Sequence, residues 1–120
     1  MWYTLFMSEP PKLSVFFYST PSGREPVREW LKEQSEGDKK VIGIDIKTVQ
    51  FGWPLGYPVV EKLAADLWEI RISLSQGIAR VIFTILENKL VLLHAFIKKS
   101  QKIPHDDLEL ALRRCRECRS

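Results

Sequence analysis

The chain has 120 residues, 45% hydrophobic and 28% charged, which fits one globular domain and excludes a disordered or low-complexity class. No apolar run reaches the length of a membrane span, and residues 1–12 lack the basic start and cleavage-like site of a signal peptide, so a cytoplasmic protein is expected. The net charge of +3 is unevenly placed: residues 98–120 carry seven Lys/Arg against four Asp/Glu, while residues 1–97 balance, an asymmetry that suits an anionic partner, nucleic acid first.

Residues 1–12 read either as an N-terminal extension or as a segment preceding a start at Met7. "LSVFFYS" (13–19) is rich in β-formers and is expected to be a first strand. "TPSG" (20–23) is a turn cluster. In "REPVREWLKEQSEG" the apolar Val27, Trp30 and Leu31 recur at helical spacing, with Pro26 fitting a first turn and Gly37 a stop. "DKKVIGIDIKTVQFG" is ambiguous. Ile42, Ile44 and Ile46 alternate as in a strand, whereas Ile42, Ile46 and Val49 fit a helix with Asp38 as N-cap.

"WPLGYPVVEKL" carries two Pro and two Gly and is expected to be irregular. Three β-like runs follow at 67–74, 79–87 and 89–97, joined by the short turns "SQG" and "EN". Such close spacing favours an antiparallel meander. "PHDDLELALRRCRECR" (104–119) reads as a helix, with Pro104 near its start, acids in its first turn and arginines at its end, as the helix dipole favours. Cys115 and Cys118 are spaced C-x-x-C, but no second pair completes a zinc site and the pair ends the chain. On a helix, Cys115 joins Leu108, Ala111 and Leu112 on one apolar face, as a small buried hydrophobe.

The strand charges are the residues that could carry chemistry. Alternation puts Trp68, Ile70 and Ile72 on one face and Glu69, Arg71 and Ser73 on the other. Arg80 opens the next strand. His94, Phe96 and Lys98 share a face of the last, and Lys99 and Lys102 follow. A meander can bring Arg71, Arg80, His94 and Lys98 together on one face. Such a set suits RNA cleavage by the RNA's own 2′-hydroxyl, which needs a base, an acid and cations that hold the charged phosphorane. Arg binds phosphate bidentately, crowded cations lower a lysine's pKa, and His can act either way near neutral pH. No metal or other cofactor is expected. The plainer alternatives are arginines that meet solvent, a core histidine and a solvated strand end.

"GREPVREWL" (23–31), "LWEIRIS…GIARVIF" (67–83) and "LLHAFIKKSQKIP" (92–104) together resemble the HigB-like, phage-derived branch of the RelE toxin superfamily, found in type II toxin–antitoxin modules. The resemblance covers residues 13–117. It implies a single α/β (α+β) domain ordered β-α-α-β-β-β-α. Two N-terminal helices would pack on a curved antiparallel sheet, a C-terminal helix would follow, and segment 38–52 would be helical.

The same resemblance implies an endoribonuclease that cleaves mRNA, commonly on translating ribosomes. Its partner would be an antitoxin, often a HigA-like helix-turn-helix DNA-binding protein. Arg71 matches the arginine of the family's "W-E-L-R" strand and Arg80 the arginine opening the next strand. His94, Phe96, Lys98, Lys99, Lys102 and Pro104 match its "H-x-F-x-K-K-x-x-K-x-P" pattern. The expected catalytic set is Arg71, Arg80, His94, Lys98 and Lys99. Lys102, Arg113, Arg114 and Arg116 are expected to contact RNA. The division of labour between base and acid stays open, and the C-terminal segment lacks the Tyr that many relatives carry. Arg80→Ala is expected to abolish activity with the fold intact. Two other readings remain: a non-catalytic RNA- or ribosome-binding module on the same fold, and a structural protein whose apolar surface serves only to form a heterodimer.

Overall fold

The computed structural model describes residues 12–98 and 103–120. Eight elements follow one another: β1 (Ser14–Phe17), α1 (Pro26–Lys32), α2 (Glu36–Gly52), β2 (Val60–Ala64), β3 (Leu67–Leu74), β4 (Gly77–Leu86), β5 (Lys89–Lys98) and α3 (His105–Arg119). The fold is α+β and RelE-like. Its five-stranded sheet has the order β1-β5-β4-β3-β2. All pairings are antiparallel except β1 with β5, which run parallel. Most of the expected N-terminal extension lies outside the described residues.

Alternation sorts the strand residues onto two faces, and each face has its own apolar cluster. Ile70, Ile72, Val81, Phe83, Leu90 and Leu92 meet Val27 of α1 and Ile42, Ile46 and Val49 of α2. On the opposite face Leu67, Ile82, Val91 and Leu93 meet Tyr18 and, from α3, Ala111 and Cys115. The helical spacing of Ile42, Ile46 and Val49 therefore prevails over the strand-like alternation, because that face of α2 lies against the sheet. Cys115 is buried among the apolar residues expected of it, and both cysteines are free.

Two local expectations need correction. Gly37 does not stop a helix; it is the second residue of α2. Asp38 is not the N-cap. Ser35 caps α2, its hydroxyl accepting from the Asp38 amide at 3.2 Å. The buried Asp38 carboxylate instead accepts from the Ser75 hydroxyl at 3.1 Å, tying the start of α2 to the β3–β4 turn.

The fifth strand, β2, falls almost wholly inside the segment expected to be irregular, only Ala64 lying beyond it. It is an edge strand with charged Glu61 and Lys62 and a single buried residue, Val60, so it has little apolar periodicity to show. The loop before it contains two cis peptide bonds, Trp53–Pro54 and Tyr57–Pro58. The sheet is thus mixed and one strand wider than expected.

Candidate active site

The α3 face of the sheet carries the strand charges in three rows set by the register. Glu69 lies opposite Ile82, which lies opposite His94. Arg71 lies opposite Arg80, which lies opposite Phe96. Ser73 lies opposite Ile78, which lies opposite Lys98. Directly opposed residues have Cβ atoms about 5 Å apart. The outer rows are four residues apart along the strands, about 14 Å. Arg71, Arg80, His94 and Lys98 thus share one face, as alternation allows.

Their environments differ. Arg80 is only 1% exposed, and its Nη1 donates to Glu69 Oε1 at 3.0 Å, with Glu69 also 1% exposed. Burial holds the Glu69 carboxyl above its ordinary value, an effect the Arg80 guanidinium offsets only in part. Arg80 therefore does not simply meet solvent, being buried together with its Glu69 partner. Arg80→Ala would strand this buried carboxylate, so a loss of stability is expected of the variant rather than an untouched fold. Arg71 is half-buried near the rim, with Nη1 4.0 Å from Glu61 Oε2. Lys98 is also partly exposed.

His94 sits where the β4–β5 ladder slips. Ile82 faces His94 but Phe83 faces Leu92, which leaves Leu93 as an extra residue on β5. Bulges of this kind re-aim the neighbouring side chain. The His94 ring lies 5.3 Å from that of Phe96, and its Nε2 is 2.6 Å from Asp107 Oδ1 at the start of α3. A carboxylate on one ring nitrogen fixes the orientation of an imidazole and leaves Nδ1 as its second polar atom.

At the other end of the rows a cleft of about 340 Å³ opens between Tyr57, Pro58 and Val59 on one side and Arg71, Ser73 and Ile78 on the other. The Arg71 amide donates to the Val59 carbonyl at 3.1 Å, so the loop is pinned beside that arginine.

The C-terminal cations divide. Arg113 and Arg116 are exposed on α3. Arg114 donates to the Leu93 carbonyl at 2.8 Å and stacks over the Tyr18 ring at 5.2 Å. Arg119 binds Thr84, Ile85 and Asp66. Part of the basic excess therefore docks α3 onto the sheet. Lys99 and Lys102 lie outside the described residues. Three participants had no sequence signal: Glu69 as the partner of Arg80, Asp107 as the partner of His94, and the wall formed by Tyr57 to Val59.

A family described as phage-derived protein Gp49-like (DUF891) matches residues 29–116, well over half of the chain. The chain belongs to the Gp49-like family. This is a RelE/HigB-like toxin family. The Gp49-like match spans β3, β4, β5 and Asp107, so it holds every residue of the three rows. Among curated proteins none matches the chain. Among the described residues no helix is long and apolar enough to cross a membrane.

Proposed function

We propose that this Gp49-like chain is the HigB-like toxin of a type II toxin–antitoxin module, an endoribonuclease that arrests translation by cutting mRNA on the ribosome. It would act in the cytoplasm and be held in check by an antitoxin, a HigA-like helix-turn-helix protein. Family membership supports the toxin role. The observation that carries the nuclease reading is the shared face of Arg71, Arg80, His94 and Lys98, with Arg71 and Lys98 at its accessible end.

The chemistry starts from the RNA's own 2′-hydroxyl. Its oxygen attacks the adjacent phosphorus, the P–O5′ bond breaks, and a 2′,3′-cyclic phosphate and a 5′-hydroxyl result. Arg71 is the phosphate clamp, because it lines the cleft and a guanidinium matches a phosphate bidentately. Lys98, or Lys99 next to it, is the base or a second clamp. His94, positioned by Asp107 in the far row, is the alternative acid–base candidate, acting in place of Lys98 rather than with it because the two rows stand about 14 Å apart. Arg80 supports from beside Arg71: its buried pair with Glu69 holds the middle row. Lys102, Arg113 and Arg116 would follow the flanking backbone or ribosomal RNA, with Arg114 tied down in docking α3.

The burial of Arg80 against Glu69 favours a second reading, a module that binds RNA without cutting it. Product analysis separates the two. Wild type should release fragments ending in cyclic phosphate from a message carried by translating ribosomes, and a single 2′-deoxy substitution at the cut position should protect that bond. An RNA that is bound but stays whole both free and on translating ribosomes would retire the nuclease reading.

A further inference from the structure

An aromatic side chain that stands out from a fold next to a cation and a cleft has the makings of a base platform. Tyr57 is 74% exposed, the largest exposure among the bulky apolar side chains described. It is not on a loose tip. The Val60 amide donates to the Gly56 carbonyl at 3.1 Å, closing a tight turn around Tyr57, Pro58 and Val59, and the Arg71 amide holds Val59. The turn therefore sets Tyr57 as one wall of the cleft whose other wall is Arg71 and Ser73 of β3 and Ile78 of β4. The row beyond Ile78 ends in Lys98.

We propose that this cleft is a nucleobase pocket for single-stranded RNA, with Tyr57 stacking on a base and Ser73 at its polar edge, beside the phosphate held by Arg71. A phenol ring offers a flat face to any base, while the apolar edges of Pro58, Val59 and Ile78 exclude water from the stack. The neighbouring guanidinium and ammonium groups match the negative charge one bond system away from that base. Tyr57 would be a binding and specificity residue, acting on which nucleotide enters rather than on the bond-breaking step. The proposal rests on the RNA-directed reading of this face but does not require cleavage.

The test is binding of a short fluorescent 2′-O-methyl RNA, which lacks the attacking hydroxyl, to the full chain at several salt concentrations. Tyr57→Ala should weaken binding about five- to hundred-fold, the range for one stacked base, and Tyr57→Phe should restore it. Because stacking releases no counterions, the slope of log K against log salt should stay that of wild type. Arg71→Ala should instead flatten it by about 0.7, one single-strand phosphate contact. A probe made abasic at the stacked position should bind Tyr57→Ala and wild type equally.

Tyr57 is exposed, so thermal melting of Tyr57→Ala should match wild type. Wild-type affinity in Tyr57→Ala, or no restoration by Tyr57→Phe, overturns the pocket. Tyr57-dependent binding with message left uncut both free and on translating ribosomes keeps the pocket and retires the nuclease. Cleavage with Tyr57-independent binding does the reverse.

Discussion

The buried pair of Glu69 and Arg80 makes a prediction that separates structure from catalysis. Arg80→Ala removes the cation and leaves a carboxylate 1% exposed with its main counter-charge gone. Breaking a buried pair in this way costs about 3–5 kcal/mol. Small domains have about 5–15 kcal/mol in total, so the loss is large, and melting should fall by roughly 10–30 °C.

The effect has a pH signature. Burial already raises Glu69 above its unfolded value of about 4.3, and removing Arg80 raises it further. A carboxyl raised in the folded state binds its proton more readily there than in the unfolded chain. Its penalty is absent below about pH 4.3, grows as pH rises through the folded value, and is complete above it. The gap between Arg80→Ala and wild type is therefore widest at neutral pH and narrows on acidification. Urea unfolding followed by tryptophan fluorescence reads it directly, since Trp53 and Trp68 pack edge to face with ring centroids 5.1 Å apart. The double variant Glu69→Leu/Arg80→Met should recover most of the stability. A gap below about 1 kcal/mol, or one that does not change with pH, would refute the reasoning.

Further predictions concern the helices and the histidine. Ser35→Ala should cost about 1 kcal/mol in urea unfolding, because the hydroxyl caps α2 through the Asp38 amide. Gly43→Ala should stabilise by about 0.5–1 kcal/mol, since Gly43 is mid-helix and an added Cβ meets nothing within 4 Å. His94→Gln should slow RNA cleavage about 10²-fold or more while affinity for uncleavable RNA holds. Asp107→Asn should slow it less and move the pH profile of the rate, the mark of a positioning residue. An unchanged rate in both variants would remove His94 from the mechanism.

Much of the fold was legible because its signals are local. The β3 bounds read from the sequence, 67–74, coincide with the observed strand, because alternating apolar residues there are flanked by turn formers. Ile42, Ile46 and Val49 could be read either way until the resemblance pointed to a helix, and the sheet packed beneath them bears that out. Val60–Ala64 was missed because an edge strand buries almost nothing. At the site, parity alone put Arg71 and Glu69 on one face and His94 with Lys98 on another strand's face. Register then decided which rows formed, and register is not written in any single strand. The pairing of His94 with Asp107 joins a strand to a helix across 13 residues, and the first-turn acids of α3 already had a sufficient explanation in the helix dipole. The burial of Arg80 depends on packing from several elements at once, which no local pattern reports.

The central claim is that the accessible cations of this face cut mRNA. The most direct measurement is cleavage mapping of a defined message with and without translating ribosomes, comparing wild type with Arg71→Ala. That variant is preferable to Arg80→Ala because Arg71 lies at the rim rather than in the buried pair. Removing one such charge-stabilising group costs about 10²-fold or more in rate, so cuts should appear with wild type and all but vanish with the variant. A message left intact by wild type in both conditions, or cut equally well by Arg71→Ala, would contradict it.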